Sequence, residues 1–251
     1  MSSGAVLLLR LAGPLQSWGD QRALVARRTS AHQPTKSGVV GLVCAAVGHD
    51  RDASPARYAD LRFGVRVDQP GTLLRDYRVV SDFRGGDILS TTVNAKGVQK
   101  STGNATNESV RYYLQDAVFV AALEGERSLL EDVDAALRSP VYTLSLGRKC
   151  CPPSLPLTLG LREGTVESAL AAEEWHARPQ YRRSLKTGAS VALDSSWDSP
   201  TGEHILHDQP VSFDPMARRF TTRQVHREHL PVLTGKPDDG NVHDPLALLG
   251  W

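Results

Sequence analysis

The chain has 251 residues, with 29 lysines and arginines against 28 acids and a formal net charge of +1. That length holds one large domain or two small ones, and the near-neutral balance neither demands nor forbids a nucleic-acid partner, so the distribution of charge has to decide. No apolar run approaches the roughly 20 residues of a membrane helix, the start lacks a signal-peptide pattern, and three cysteines without CxxC spacing give no disulfide framework or zinc site. A soluble, cytoplasmic protein with reduced thiols and no cofactor is expected.

Residues 6–11 read as a strand, followed by the loop GPLQSWG (13–19). The stretch PTKSGVVGLVCAAVG (34–48) places Val39, Val40, Val43, Ala46 and Val47 at three- and four-residue steps. Pro34 and Thr35 supply start signals and Gly48 a stop, so a core helix is predicted. Gly38 and Gly41 lower its helix propensity and imply close packing on something flat. Lys36 and Ser37 at its head resemble a phosphate-binding loop, but the nucleotide motif needs a glycine directly before its lysine, where Thr35 stands, which argues against a nucleoside-triphosphate site. Free amides at a helix start beside Lys36 and Ser37 remain compatible with one phosphate of a polymer backbone.

Ser54 and Pro55 open a short helical turn, residues 61–67 (LRFGVRV) alternate as a second strand, and 116–123 (DAVFVAAL) form a third. Residues 129–137 are an amphipathic helix stopped by Pro140, and 141–146 are expected as a fourth strand. The order βαββαβ is the split βαβ, ferredoxin-like (RRM-like) α+β pattern, with two helices on one face of an antiparallel sheet. About forty residues, 71–110, separate the second and third strands, far more than a hairpin loop needs. They read as a projecting β-hairpin, with Gly85 and Gly86 at a bend, Thr91, Thr92 and Val93 as strand formers, and Lys96 and Lys100 around a turn; a disordered loop is the other reading. The expected organisation is a domain over 1–155 carrying this thumb-like insertion, then a smaller, mainly β region over 156–251, with a helix at 166–175 and strand-like alternation across 211–232.

Charge is uneven. Arg10, Arg22, Arg27, Arg28 and Lys36 dominate the first fifty residues, whereas 124–138 is acidic. In LGRKCCPP (146–153), Gly147 allows close backbone approach, Arg148 offers a forked donor and Lys149 a point charge for phosphates; a solvated basic turn is the plainer reading. Arg182, Arg183 and Lys186, then Arg218, Arg219, Arg223 and Arg227, add basic clusters, with Trp18, Tyr181 and Phe220 nearby as stacking surfaces or core. The paired aromatics of an RNA-recognition sheet are absent, since 116–123 offers Phe119 alone. His204, His207 and Asp208, or His226, Glu228 and His229, supply too few ligands for a closed zinc site, and no metal is expected. No histidine occurs between Asp50 and Trp175, which leaves Tyr112, Tyr113, Lys96 and Lys100 as the formal acid–base groups for RNA cleavage.

Five motifs converge: LRLAGPLQSWG (9–19), PTKSGVVGLVCAAVG (34–48), LRDYRVV (74–80), VRYYLQDAVFVAAL (110–123) and LGRKCCPPSLPLTLG (146–160). Together they resemble the CasD family, the Cas-five-type subunits of the type I-E CRISPR surveillance complex Cascade, within the RAMP superfamily. The resemblance runs over residues 6–160 and more weakly through VSFDPMARRF (211–220). It implies a non-catalytic RNA-binding subunit that grips the 5′ handle of the CRISPR RNA, caps a filament of backbone subunits (CasC), helps seat the large subunit (CasA), and meets target DNA indirectly. By motif, Gln16, Ser17, Trp18, Lys36, Ser37, Gly147, Arg148 and Lys149 fall on the RNA-binding face, with Arg22, Arg27, Arg28, Lys96 and Lys100 as further expected contacts. Arg78 stands where the family often has histidine, which replaces an acid–base group with a phosphate donor. The alternatives are a metal-independent endoribonuclease that matures CRISPR RNA, and a protein scaffold without RNA contact.

Overall fold

A computed structural model describes residues 4–19, 27–81, 98, 106–185 and 189–234. In chain order its elements are β1 (Ala5–Ala12), β2 (Leu15–Gln16), β3 (Trp18–Gly19), β4 (Arg27–Arg28), β5 (Ser30–Ala31), α1 (Lys36–Val47), α2 (Ala56–Ala59), β6 (Arg62–Gln69), β7 (Thr72–Ser81), β8 (Thr106–Gln115), β9 (Val118–Gly125), α3 (Arg127–Arg138), β10 (Thr158–Glu163), α4 (Val166–Ala172), α5 (Pro179–Ser184), β11 (Ser190–Asp198), β12 (His204–Ser212) and β13 (Arg219–Leu233).

The strand β1 is apolar but for Arg10, AVLLLRLA, because it is covered on both faces. It lies within a seven-stranded sheet of order β10-β1-β9-β6-β11-β13-β12, antiparallel at every pairing. Leu7, Leu9 and Leu11 of β1 point with Phe63, Phe119 and Leu123 toward α1 and α3. Val6 and Leu8 point the other way, with Val120 and Ala122, onto Val166, Ala169 and Leu170 of α4. Phe119 is therefore buried under helices and presents no stacking surface.

The helix α1 follows the sequence reading closely. The Thr35 hydroxyl accepts from the amide of Gly38, and Gly48 closes the far end at φ 79°. The flat surface behind Gly38 is the indole of Trp18: a methyl at Gly38 would lie 2.8 Å from that ring. The helix α3 is amphipathic, burying Leu129, Leu130, Val133 and Leu137.

The fourth strand lies elsewhere than expected. Residues 141–146 form no strand; the amides of Val141 and Tyr142 instead donate to the carbonyls of Ala46 and Ala45, at 2.9 and 3.1 Å. They satisfy the last turn of α1, whose carbonyls have no helical partner, and the two side chains stay exposed. Beside β1 the position is filled by β10, past the boundary expected at residue 155.

The C-terminal strands extend the same sheet, β11 pairing with β6 across Gly64–Trp197 and Arg66–Ser195. Two buried ionic groups hold this junction. Arg66 and Asp68, both fully buried, bond each other at 2.7 Å while Arg66 donates to the carbonyls of Leu170, Glu173 and Glu174 at the end of α4. Lys36 and Arg223 both bond Asp198, at 3.0 and 2.5 Å, and Arg223 bonds Asp208 at 2.6 Å. At 71–110, the insertion enters and leaves as a ten-pair ladder, Thr72 opposite Gln115 through Ser81 opposite Thr106. The glycines, strand formers and lysines assigned to its tip lie outside the described residues.

Candidate nucleic-acid interface

A small second sheet carries the site. In it β8 is flanked by β2, by β7 and, in parallel, by β4, which sets Arg28 beside Arg111 and Asp76 opposite Arg111. Alternation along β8 sends Arg111 and Tyr113 to one face, the face that Asp76 and Arg78 share on β7.

Onto this face folds the loop after α3. It is held tightly: Leu146 N donates to Cys151 O at 2.7 Å, Cys151 N to Arg148 O at 2.9 Å, and Ser17 N to Leu146 O at 3.0 Å. Gly147 has φ 90°, and a methyl there would sit 1.8 Å from the Ser17 carbonyl oxygen, so glycine is required on both counts. Arg148 then reaches across, donating to the carbonyls of Tyr112 at 3.1 Å and Arg28 at 3.3 Å, with its guanidinium 4.7 Å from the centre of the Tyr113 ring. This stacked, forked placement is what a guanidinium does and an ammonium cannot. Arg78 bonds Asp76 at 2.5 Å and donates to the Tyr113 hydroxyl at 3.3 Å, and that hydroxyl lies 3.6 Å from Cys150 Sγ. Lys149 is exposed and has no partner among the described residues. The result is a cationic surface of Arg28, Arg78, Arg111, Arg148 and Lys149 built round one tyrosine, with Asp76 as the acid on that face. Such a surface, with several guanidiniums on a rigid sheet, suits a phosphodiester backbone.

Other expected contacts are placed differently. Gln16, Ser17 and Trp18 are buried, at 0, 2 and 0% exposure. Gln16 donates to the carbonyls of Leu11 and Ala117 and accepts from the Trp18 indole at 3.0 Å, so this loop braces the site from behind and does not stack on bases. Lys36 is 4% exposed, its ammonium on Asp198, and its backbone amide meets Asp208 at 2.8 Å. Burial pushes its pKa down, opposed by Asp198. The anions at the start of α1 are therefore aspartates of the chain itself. Ser37 is half-buried, its hydroxyl 3.4 Å from that of Thr35. Arg27 lies on β4, beside the cluster by backbone pairing. Arg22, Lys96 and Lys100 lie outside the described residues. Tyr181 and Phe220 pack edge-on against Trp175 and Phe213.

Sequence reasoning missed Arg111 and misassigned Tyr113, which is 1% exposed and serves as platform. The signal was the run VRYYLQ, where an arginine and a tyrosine two apart share a strand face. Neither expected histidine group gathers three ligands among the described residues: Asp208 is held by Arg223, and His226 packs on the Trp197 ring with centroids 5.2 Å apart and meets Glu228 at 3.8 Å. Among the described residues, Glu173, Glu174 and His176 approach one another closely enough for a cation, but Glu173 already bonds His176 and Arg162, each at 2.9 Å. A cavity of about 1180 Å³ lies between residues 29–35 and β11–β13 and shares no residue with the cationic cluster.

The family described as "CRISPR-associated protein (Cas_Cas5)" matches residues 6–226. The CRISPR system Cascade subunit CasD of Escherichia coli (strain K12) is 31% identical over 229 residues, spanning 87% of this chain and 93% of that protein. A chain of a CRISPR RNA-guided surveillance complex superposes with TM-score 0.75 at 33% identity, covering 92% of this chain and 95% of its own. A second crystal structure, of a Cas protein, superposes with TM-score 0.66 at 36% identity, covering 92% and 100%. No helix among the described residues is long and apolar enough to cross a membrane. A family match over residues 6–226, with relatives above 30% identity over most of the length, establishes that this chain belongs to the CRISPR-associated Cas_Cas5 family.

Proposed function

We propose that the chain is a non-catalytic RNA-binding subunit of a type I-E CRISPR surveillance complex of the Cascade kind, acting in the cytoplasm in antiviral defence. It holds the 5′ handle of the CRISPR RNA, caps the filament of CasC backbone subunits, helps seat CasA and meets target DNA only indirectly. The observation that carries this reading is the cationic cluster around Tyr113, where the loop after α3, the base of the β7–β8 hairpin and β4 meet. Phosphates lie along Arg28, Arg78, Arg148 and Lys149, with Arg22, Arg27, Lys96 and Lys100 extending the track, and the hairpin lies over the RNA as a thumb against the neighbouring subunit.

The order β10-β1-β9-β6, with α1 and α3 on one face, supports the ferredoxin-like assignment, closed by β10. Residues 1–155 form the RNA-facing region and 156–251 the C-terminal region, sharing one sheet. The non-catalytic reading is supported by the lack of a histidine among the described residues of the cluster and by the burial of Tyr113.

The test is co-expression with the neighbouring subunits and purification through this chain. A discrete small RNA beginning with the repeat-derived handle is expected, and its loss is expected for Arg148→Ala combined with Lys149→Ala. Recovery of the full assembly without RNA would remove the proposal. Discrete cleavage of repeat RNA by the isolated chain in chelator would replace it with the endoribonuclease.

A further inference from the structure

The RNA-binding reading leaves one reactive group of the cluster unused, the thiol of Cys150. All three cysteines are free, and their surroundings differ. Cys44 is buried in α1, and burial pushes its thiol up to about 11. Cys151 is fully buried, and burial together with its neighbour Cys150 pushes it up to about 12. Cys150 is exposed, and its sulfur faces the Tyr113 hydroxyl at 3.6 Å, the same hydroxyl that receives Arg78 at 3.3 Å. Burial acts to raise its pKa, but hydrogen bonds from Tyr113, Cys151 and its own backbone, with the charge of Arg78, outweigh that and bring it below the usual value. Arg148 stacks over the same tyrosine, and Lys149, adjacent in the chain, has no partner among the described residues. A thiol pair is thus set in a cationic frame whose charge selects an anionic co-reactant.

We propose that Cys150 is a thiol–disulfide exchange site for small anionic disulfides, and that its modification and RNA occupancy of this cluster exclude one another. The thiol releases its proton to solvent; the sulfur attacks one sulfur of the disulfide; the new S–S bond forms as the old one breaks, and the other half departs as a thiolate. The neighbouring Cys151 does not displace the adduct, because its thiol is buried and stays protonated, so the mixed disulfide persists until an external thiol removes it. The exchange step stands on the cluster alone, and the exclusion rests on the RNA-binding reading.

The free chain is mixed with dithiobis-nitrobenzoate, a dianionic disulfide, or with uncharged dithiodipyridine. Expected is rapid release of about one equivalent of reporter, an adduct on the peptide holding Cys150, and loss of both in Cys150→Ser. Replacing Arg78 and Lys149 by alanine should slow the anionic reagent several-fold more than the uncharged one. A native rate no faster than that of the unfolded chain, or release of a second equivalent with loss of the adduct, overturns the exchange site. Prebound single-stranded repeat RNA should slow labelling about tenfold. Fast labelling of the free chain without protection by bound RNA overturns the exclusion and the RNA reading of this cluster while leaving the thiol site standing; a slow thiol beside intact, Lys149-dependent RNA binding overturns the thiol site alone.

Discussion

Replacing Lys149 by alanine separates RNA binding from folding, because Lys149 touches nothing else among the described residues whereas its neighbour Arg148 is built into the structure. If Lys149 neutralises one phosphate of single-stranded RNA, its loss lowers the slope of log K against log salt by about 0.7. Between about 50 and about 200 mM salt, that makes the variant lose about 2.6-fold less affinity than the parent. Stability should stay within about 0.5 kcal/mol, as for other surface substitutions. Arg148→Ala should lower the slope by a similar amount but also cost about 2 kcal/mol of stability, since two guanidinium–carbonyl bonds and the stack on Tyr113 are lost. Both effects should be nearly independent of RNA sequence, as contacts to phosphate position a strand without reading it. Anisotropy titrations of labelled repeat RNA at several salt concentrations, paired with urea melts, measure the two quantities separately. An unchanged slope in the Lys149→Ala, Arg148→Ala double variant would refute the assignment of phosphates to this loop.

The remaining predictions follow from the same contacts. Lys36→Ala should leave the salt slope unchanged and destabilise the fold by about 2 kcal/mol, because Lys36 bonds Asp198 inside the protein; a flatter slope with normal stability would return Lys36 to the RNA. Gly147→Ala should be among the most damaging single changes in the loop, seen as a lower melting temperature, since its methyl would overlap the Ser17 carbonyl. Glu173 has its pKa lowered below 4.5 by bonds from His176 and from Arg162, against burial. Its contribution is present above that ordinary value and lost as pH falls through the lowered one, so acid melts of Glu173→Gln should converge with the parent at the acid end and lie below it near neutral pH. Removing residues 86–106 should leave the melting transition in place while impairing assembly with neighbouring subunits, and collapse of the transition would assign that segment to the core.

Much of the core could be read from the chain because its signals are local. Thr35, the valines of α1 and Gly48 specify start, face and stop within fifteen residues, and α3 announces itself by its alternating faces. The fourth strand was misplaced for a reason that no window could show. Residues 141–146 have strand-like composition, but two carbonyls at the end of α1, almost a hundred residues earlier, compete for the amides of Val141 and Tyr142. The sheet instead recruits β10, whose half-buried, glycine-interrupted sequence is a weaker strand signal.

The site was legible in its cations and illegible in its partners. Arg148 and Lys149 stand out in LGRKCCPP, but whether a cation is free depends on acids that are distant in sequence. Asp198 and Asp208 come from the last quarter of the chain and consume Lys36 and Arg223, while no comparable acid among the described residues reaches Lys149. A formal charge of +1 therefore understates the interface, because some basic residues are neutralised internally at the junction with the C-terminal strands, whereas Arg28, Arg78, Arg148 and Lys149 gather on one face that Asp76 shares. The same logic explains Trp18. An aromatic beside a basic loop suggests base stacking, yet Gly38 removes the side chain that would have kept α1 away from that indole, so the ring becomes the floor of the helix and positions, from behind, the loop that Gly147 grips. At this site Trp18 and Tyr113 brace the backbone that carries Arg148 and Lys149, and Lys149 faces outward.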